Sequence, residues 1–182
     1  MDIHDAIEER RAYRSLERGE MTKETARDLA EHAVLSPSCF NKQPWRYHFV
    51  YGPEALQKLH GALAEGNEWA RAASMIVAVS SRKDLDCQVK GREYYLFDVG
   101  LSTAFLVLRA WELGLVAHPI AGFDEDAAKE ILGIDEDMTL ITLVIVGKHA
   151  DSINDLLSEK QAEAEKERPV RMPLEEVASF IG

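Results

Sequence analysis

The sequence predicts a single α+β domain in which helices cover one central β-sheet. Three observations carry this prediction. Runs with a strand-like apolar pattern occur at 47–51, 75–80 and 139–147, and apolar residues recur at helical spacing in 22–35 and 93–113. The two kinds of segment do not alternate regularly, as they would around a doubly wound parallel sheet. The length of 182 residues fits one domain.

The overall composition describes a folded, acidic protein. Hydrophobic residues make up 46% of the chain and charged residues 29%, which is ordinary for a globular domain and argues against disorder. The net charge of −11 disfavours non-specific binding to nucleic acid or an anionic membrane, so an anionic ligand requires a local basic cluster. No apolar run approaches the roughly 20 residues of a membrane span, and the acidic N-terminus does not resemble a signal peptide. We therefore expect a cytoplasmic protein without nucleic-acid or membrane partners.

A basic cluster does occur near the N-terminus. The segment from Ile3 to Leu16 carries Arg10, Arg11 and Arg14. On a helix through this segment, Arg10 and Arg14 stand at i and i+4 on one face and form a positive patch. The alternative is that these arginines are surface partners of nearby carboxylates, namely Glu8, Glu9 and Glu17.

The first half of the chain alternates helical and strand-like signals. Thr22 is the predicted N-cap of a helix that runs to Leu35 and is stopped by Pro37. A strand follows at 47–51, and Pro53 starts a helix over 54–64. The apolar run at 75–80 is typical of a strand covered on both faces. Residues 81–91 are polar and fit either a loop or the frayed entry to a helix.

The second half is dominated by one long apolar helix and one strong strand. Residues 93–113 are apolar nearly all round, with Leu101, Phe105, Leu108 and Trp111 at helical spacing, which predicts a central buried helix with Gly114 as C-cap. A strand over 115–120, a helix over 125–132 with Asp124 as N-cap, and the strongest strand at 139–147 follow. Residues 151–167 are charged and helix-prone. The tail, 168–182, regains an apolar face, which indicates that it docks on another surface such as a second subunit.

The loop from Ser36 to Arg46 stands out between these elements because it is polar and long. It contains two prolines, two serines, an asparagine and a glutamine, and it fits a structural loop or a ligand-binding loop equally well. Cys39 within it is either a nucleophilic thiol or, as is commoner, a small buried side chain. Cys39 and Cys87 lack the spacing of a disulfide framework or a metal site, so no metal is predicted. The sequence contains no Gly-rich phosphate fingerprint and no nucleophile elbow.

Five short motifs resemble those of the nitroreductase family of flavin enzymes, and they span most of the chain. They are Arg10-Arg11-Ala12-Tyr13-Arg14, Pro37-Ser38-Cys39-Phe40-Asn41-Lys42-Gln43-Pro44-Trp45, Asp98-Val99-Gly100 with the later Leu113-Gly114-Leu115, the turn from Pro119 to Asp124, and Arg171-Met172-Pro173. Each motif alone is a weak to moderate signal. All five in order, at family-like spacing, make a strong one.

The resemblance implies a mixed, mainly antiparallel sheet flanked by helices in an intertwined homodimer, with the segment 168–182 wrapping the partner subunit. It implies that FMN binds at the dimer interface and that NAD(P)H is the co-substrate. Hydride would pass from the nicotinamide to flavin N5 and then to a nitroaromatic, a quinone or a related small acceptor, in a ping-pong cycle. No catalytic side chain is implied, because the flavin carries the hydride.

The resemblance also assigns cofactor contacts. Arg10, Arg11 and Arg171 match phosphate-binding positions, and Arg14 matches a basic position nearer the ribityl and pyrimidine side. Asn67 resembles an asparagine at the pyrimidine edge. The 36–46 loop matches one that approaches the flavin from the other subunit, and the turn at 119–122 one whose backbone N–H reaches N5. The full set is Arg10, Arg11, Ala12, Arg14, Pro37, Ser38, Cys39, Asn41, Asn67, Pro119, Ile120, Ala121, Gly122 and Arg171.

Several positions depart from the family pattern. Ala12 stands where many members have serine, and Ala121 where nitroaromatic-reducing members often have glutamate. Pro169 replaces a lysine of some members, for which Arg168 is a candidate substitute. The segment between Arg82 and Tyr94 is short, whereas larger members insert helices there that cover the substrate face.

These departures leave two alternatives to nitroreductase chemistry. One is a protein of the same fold with different flavin chemistry, such as reductive dehalogenation or flavin fragmentation. The other is a flavin-binding or storage protein without turnover. The aromatic residues beside the short segment, Tyr94, Tyr95 and Phe97, either line an open pocket or belong to the core.

Overall fold

The computed structural model describes residues 2–182 and folds them around one antiparallel sheet. The helices are α1 Ile3–Glu9, α2 Lys23–Ala33, α3 Pro53–Leu59, α4 Tyr95–Glu112, α5 Glu125–Leu132, α6 Glu159–Lys166 and α7 Leu174–Val177. The strands are β1 Leu16–Glu17, β2 Arg46–Val50, β3 Met75–Ser81, β4 Gln88–Val89, β5 Arg92–Glu93, β6 Val116–Ile120 and β7 Thr139–His149. The predicted α+β class with a mainly antiparallel sheet is confirmed.

Four strands lie side by side in the order β6–β7–β3–β2, and the short β1 pairs with the end of β7. The pairings among the described strands are all antiparallel. The register places Ser80 opposite both Arg46 and Leu140, and it places Ile120 opposite Leu143. The start of β2 and the end of β6 therefore lie at the same end of the sheet, about three strand spacings, or roughly 14 Å, apart.

The sheet is covered on both faces. Every residue of β3 is buried, as its apolar run predicts. Alternate residues point to opposite sides: Ile76 and Leu143 belong to a core that contains Trp69 and residues of α3 and α5, whereas Val77 and Val144 belong to a core formed with α2 and α4. Each strand of the centre thus contributes to two separate apolar clusters.

Local signals place several helix ends correctly. Thr22 caps α2 and Asp124 caps α5, since each side-chain oxygen accepts the N–H three residues further on, at 3.2 Å and 3.0 Å. Gly133 ends α5 in the left-handed conformation, with φ of +66°. The helix predicted over 54–64 is shorter, because α3 gives way to a 3-10 turn at His60–Ala62.

The prediction that Arg10 and Arg14 share a helix face is wrong. α1 ends at Glu9, and Arg10 is its extended C-cap. Beyond it, the N–H groups of Arg14 and Ser15 donate to the buried carboxylate of Glu165 in α6, each at 2.9 Å. Charge-assisted hydrogen bonds to a distant helix therefore replace the local hydrogen bonds that would have continued α1.

α4 is apolar all round but buried on only one face. Val99, Leu106 and Ala110 pack inside the fold. The predicted core position Phe105 is 39% exposed, and the other members of that stripe, Leu101, Leu108 and Trp111, are half-buried. The prediction of a fully buried central helix is therefore wrong for a single chain.

Two segments with weak sequence signals resolve into short elements. In residues 81–91 a 3-10 turn leads into the β4–β5 hairpin, whose two turn residues, Lys90 and Gly91, have φ of +52° and +80°. In residues 151–167 only α6 is helical. Among residues 2–182, no helix combines the length and apolar character that crossing a membrane requires.

Candidate cofactor site

Three guanidinium groups gather where the first and last parts of the chain meet. Arg168 donates hydrogen bonds to the backbone carbonyls of Glu8 and Arg10. Burial, and then the positive charges of Arg168 and Arg171, lower the pKa of Arg10. Arg168 and Arg171 therefore both lie near enough to Arg10 for their charges to act on it. Within residues 2–182 none of the three forms an ion pair, so the cluster presents positive charge without a carboxylate partner.

The other two arginines of the first motif have different contacts. One guanidinium nitrogen of Arg11 donates hydrogen bonds to three carbonyl oxygens at the end of α6, at 2.8–3.3 Å. The guanidinium also lies 4.6 Å from the Tyr13 ring centroid. The guanidinium of Arg14 lies 5.9 Å from the Trp69 ring centroid. Arg11 therefore caps α6, which leaves Arg10 as the motif's contribution to the cation cluster. Ala12, which lies between them, is half-buried.

The turn after β6 packs closely against Asn67. Asn67 Nδ2 donates to the carbonyl of Gly122 at 2.8 Å, and its Oδ1 accepts a hydrogen bond from Trp69 Nε1 at 3.2 Å. A Cβ at position 122 would lie 2.4 Å from Asn67 Nδ2, so the approach requires glycine. The backbone N–H groups of Ala121 and Gly122 donate to no other described residue, which leaves them available to a ligand.

His118 joins this turn to the arginine segment. Its Nδ1 lies 3.1 Å from the Tyr13 carbonyl oxygen, and its ring centroid lies 4.7 Å from that of Trp69. Burial is the main cause that lowers the pKa of His118, and a neutral ring in the tautomer that donates to Tyr13 satisfies both groups. A groove of about 500 Å³ contains both Arg10 and Pro119. One side of the chain therefore collects the predicted positions Arg10, Arg14, Asn67, Pro119, Ile120, Ala121 and Gly122.

The loop from Ser36 to Arg46 adopts an uncommon backbone conformation. Phe40, Asn41 and Gln43 have φ of 47°, 56° and 50°, in the left-handed region that residues with a Cβ rarely enter. The Phe40 side chain is 86% exposed, so packing inside the chain does not explain its conformation. Strain of this kind is typical of ligand-binding loops.

Hydrogen bonds hold the loop at the edge of the sheet next to β2. Ser38 Oγ accepts the N–H of Gln43 at 3.0 Å, and the buried carboxylate of Asp98, in the first turn of α4, accepts the N–H of Cys39 at 2.6 Å. The segment 119–122 lies at the end of β6, on the opposite edge of the sheet. The fold therefore does not bring one part of the predicted set, Pro37, Ser38, Cys39 and Asn41, to the arginine side of the same chain.

Sequence spacing missed one cluster of reactive side chains. Cys39 lies beside Cys87 and Asp86, which precede β4. The two cysteines are 48 positions apart in the sequence (87 − 39), and the contact arises because the loop and the hairpin both pack near the start of α4. No local motif could have indicated it.

Comparison with known proteins fits this arrangement. The model of the family described as Nitroreductase family matches residues 7–74 and 60–148, which together cover more than three quarters of the chain. The chain belongs to the nitroreductase family. The resemblance inferred from the five sequence motifs is thus confirmed.

Individual members of the nitroreductase family and its fold neighbours extend this result. YdgI of Bacillus subtilis, named as a candidate NAD(P)H nitroreductase, is 26% identical over 188 residues, covering 82% of this chain and 90% of YdgI. A crystal structure described as an oxidoreductase containing FMN is 28% identical with a TM-score of 0.85, covering 98% of this chain and 91% of that one. CLA-ER, an enone reductase of gut-bacterial fatty acid saturation, has the same fold at 18% identity and a TM-score of 0.79, covering 100% of this chain and 98% of CLA-ER.

Proposed function

We propose that the protein is an FMN-dependent oxidoreductase that takes electrons from NAD(P)H and reduces a small organic acceptor. The observation that carries this proposal is the cluster of Arg10, Arg168 and Arg171, which has no carboxylate partner among residues 2–182 although the chain has a net charge of −11. A dianionic phosphate would relieve the mutual repulsion of the three guanidinium groups and accept their hydrogen bonds. The site thus fits the phosphate of FMN.

The remaining contacts extend from this phosphate position along one side of the chain. Arg14 supplies positive charge beside Trp69, and the remaining N–H of Asn67 can donate to a polar ring edge. The free N–H groups of Ala121 and Gly122 can donate to a flavin that lies flat against the turn. Bound FMN supplies hydride-transfer chemistry, and these residues position it and exclude water from one of its faces.

The second half of the flavin site comes, in our proposal, from a second copy of the chain. The 36–46 loop, with Pro37, Ser38 and Asn41, lies roughly 14 Å across the sheet from the 119–122 turn of its own chain. α4 presents an apolar, partly exposed face that includes Phe97 and Phe105, and the tail exposes Val170, Phe180 and Ile181. Exposed apolar surface on this scale is typical of an interface. A homodimer in which the tail wraps the partner covers these surfaces and brings the loop to the cofactor.

The acceptor site is open on the side of the β4–β5 hairpin. The hairpin strands have two residues each, and Phe97 is 61% exposed and makes an edge contact with Tyr94 at 6.2 Å between ring centroids. An open, aromatic-lined site suits flat acceptors such as nitroaromatics and quinones. A single site that first accepts the nicotinamide and then the acceptor produces ping-pong kinetics, with parallel lines in double-reciprocal plots.

Spectroscopy of the purified protein tests the proposed function. The protein should show the absorbance of oxidised flavin, and anaerobic NADH or NADPH should bleach it. Failure to bind FMN, even after reconstitution, would overturn the proposal. If the protein binds FMN but neither nicotinamide reduces it, the data would instead support a flavin-binding protein without NAD(P)H turnover.

Removal of two clustered arginines should release the cofactor. We expect Arg10→Ala with Arg171→Ala to weaken FMN binding by at least about 100-fold, because each charge-assisted hydrogen bond contributes about 1.5–3 kcal/mol. Fluorescence titration with FMN measures the change. The control variant, Arg27→Ala with Arg82→Ala, loses the same two positive charges from ion pairs elsewhere on the surface. Its FMN affinity should stay within a few-fold of that of the unmodified protein. Equal losses in the two double variants would mean that the cluster is not the phosphate site.

A further inference from the structure

Two thiols and a buried carboxylate converge between the 36–46 loop and the β4–β5 hairpin. The Sγ atoms of Cys39 and Cys87 and a carboxylate oxygen of Asp86 all lie within 4.8 Å of one another. Both cysteines are free, and Cys39 is the more accessible member of the cluster. It is not part of the arginine cluster or of the 119–122 turn, and the proposed function gives Cys87 and Asp86 no role.

Asp86 is buried without a complete set of partners. Asp86 is only 8% exposed, and its Oδ1 accepts a hydrogen bond from the N–H of Cys87 at 2.7 Å. Oδ2 is buried and has no hydrogen-bond partner among residues 2–182. A carboxylate oxygen in this situation is costly unless a proton or a cation compensates it.

The surroundings of Asp86 are rich in acidic groups. Burial, and then the nearby carboxylate of Asp98, raise the pKa of Asp86. The hydrogen bond with Cys39, burial and the negative charge of Asp86 raise the pKa of the Cys87 thiol to about 11, and Lys42 is the positive group that opposes this shift. Four acidic side chains thus share one small region with a single exposed lysine. A divalent cation in this cluster would give the buried Oδ2 of Asp86 the partner that it lacks among residues 2–182.

We propose that Cys39, Cys87 and Asp86 bind a thiophilic divalent cation of the Zn²⁺ class. Thiolate sulfur and carboxylate oxygen are both established ligand types for this class, whereas Mg²⁺ and Ca²⁺ prefer all-oxygen sites. Zn–S bonds of about 2.3 Å place two sulfur ligands of a tetrahedral site about 3.8 Å apart. The ligand atoms lie within 4.8 Å of one another, so the two sulfur atoms need to approach by at most about 1 Å. Three protein ligands leave a fourth position for water.

Binding has defined chemical consequences. Each thiol loses its proton to solvent when it becomes a thiolate ligand, and Asp86 loses its proton where the carboxyl is protonated, so uptake of one cation releases about two to three protons. The cation would join the loop, through Cys39, to the hairpin, through Cys87. Since Asp98 already holds the backbone N–H of Cys39, the cation would add a second fixed point to the loop.

Zinc titration of the reduced protein tests the proposal. The purified protein is first treated with a reductant, and its free thiols are counted. Zn²⁺ is then added in competition with a chromophoric chelator. We expect one Zn²⁺ per chain, the release of about two to three protons, and an increase in Tm that a strong chelator reverses. Reduced protein with two free thiols that binds no zinc would overturn the proposal.

Variants of the three ligands test which atoms bind. Cys39→Ser, Cys87→Ser and Asp86→Asn should each weaken zinc binding at least tenfold. Asp84→Asn, an exposed acid two residues from Asp86, is the matched control and should bind normally. Zinc affinity that is the same in all four variants would place the metal elsewhere on the surface.

Cobalt provides a readout on the unmodified chain, independent of how the variants fold. Co²⁺ should produce the intense near-ultraviolet absorbance of thiolate-to-metal charge transfer, and Zn²⁺ should abolish it by displacement. Cobalt binding without this band would mean that the thiols are not ligands and would contradict the proposal. All of these measurements report metal binding, so they stand whether or not the protein has the proposed redox activity.

Discussion

β3 and α4 are both strongly apolar, yet they relate to solvent in opposite ways. Each residue of β3 is buried, because α2 and α4 cover one face of the sheet and α3 and α5 cover the other. α4 is buried on the face that contains Leu106, whereas Phe97 and Phe105 on its other side remain exposed. Apolar composition therefore identifies surfaces that must be covered, and it does not identify which chain covers them.

The comparison divides the apolar residues into two groups with different energetic roles. The apolar residues of the sheet stabilise the fold of one chain. Replacing them should therefore lower the free energy of unfolding at any protein concentration. The apolar residues of α4, α1 and the tail should act through the association of two chains. The effect of replacing them on stability should therefore depend on the protein concentration.

The largest expected effect is the loss of a central sheet residue. Leu143→Ala removes a fully buried side chain from β7 and should lower the free energy of unfolding by about 2–5 kcal/mol. Denaturant unfolding monitored by circular dichroism measures this. Leu113→Ala, at an exposed leucine after α4, should change stability by only about 0.5 kcal/mol. Comparable losses in the two variants would contradict the distinction between the regions.

A negative charge introduced on the exposed face of α4 should weaken the association of two chains while each chain stays folded. Phe105→Asp should weaken dimerisation at least tenfold, about 1.4 kcal/mol, because the carboxylate would be buried against the partner. Sedimentation over a range of concentrations measures the shift. Ile131→Asp on α5 is a matched control, since Ile131 is 38% exposed and Phe105 is 39% exposed. An unchanged oligomeric state in Phe105→Asp would exclude this face from the interface.

The smallest expected effect is the contribution of His118, a buried histidine of β6, to the pH dependence of stability. Because the pKa of His118 is lowered in the folded state, mainly by burial, the unfolded chain binds more protons below its ordinary pKa of about 6.5. Stability should therefore fall as the pH decreases from about 6.5 toward the lower folded pKa, by at most about 1.4 kcal/mol per pH unit for this group.

Substitution of the histidine separates this effect from general acid destabilisation. His118→Asn should flatten the pH dependence of Tm in this range, although His48 and His60, whose pKa values burial also lowers, keep part of the slope. His4→Asn, at an exposed position, should leave the slope as it was. An identical slope in His118→Asn would assign the acid sensitivity to other groups.

The sequence predicts best where local physics decides the structure. The unbroken apolar run of β3, the Thr22 cap of α2 and the Asp124 cap of α5 are all local signals, and each of these predictions is confirmed. The extended path of the chain beyond α1 was not predictable in this way, because the backbone N–H groups of Arg14 and Ser15 donate there to Glu165, which is distant in the sequence.

The candidate site shows the same limit. Family-like motifs indicate Arg10 and Arg171 as phosphate-binding positions and suggest Arg168 as a substitute for a family lysine. The fold adds that Arg168 donates to the carbonyls of Glu8 and Arg10 and that Arg11 caps α6. The contact between Cys39 and Cys87 has no sequence signal, because two elements that are separate in the chain meet there. Residue types could be predicted from motifs, whereas their grouping is a property of tertiary packing.

The bond between Arg14 and Glu165 also determines when the anion site can form. The two residues are separated by 151 positions, so the carboxylate that fixes the arginine segment leaves the ribosome long after that segment does. Contacts of such long range form late because the loop between them must first close. Until Glu165 has been made, the first arginine motif lacks the carboxylate that fixes the backbone of Arg14 and Ser15. We therefore expect cofactor binding to follow the folding of the sheet and not to direct it.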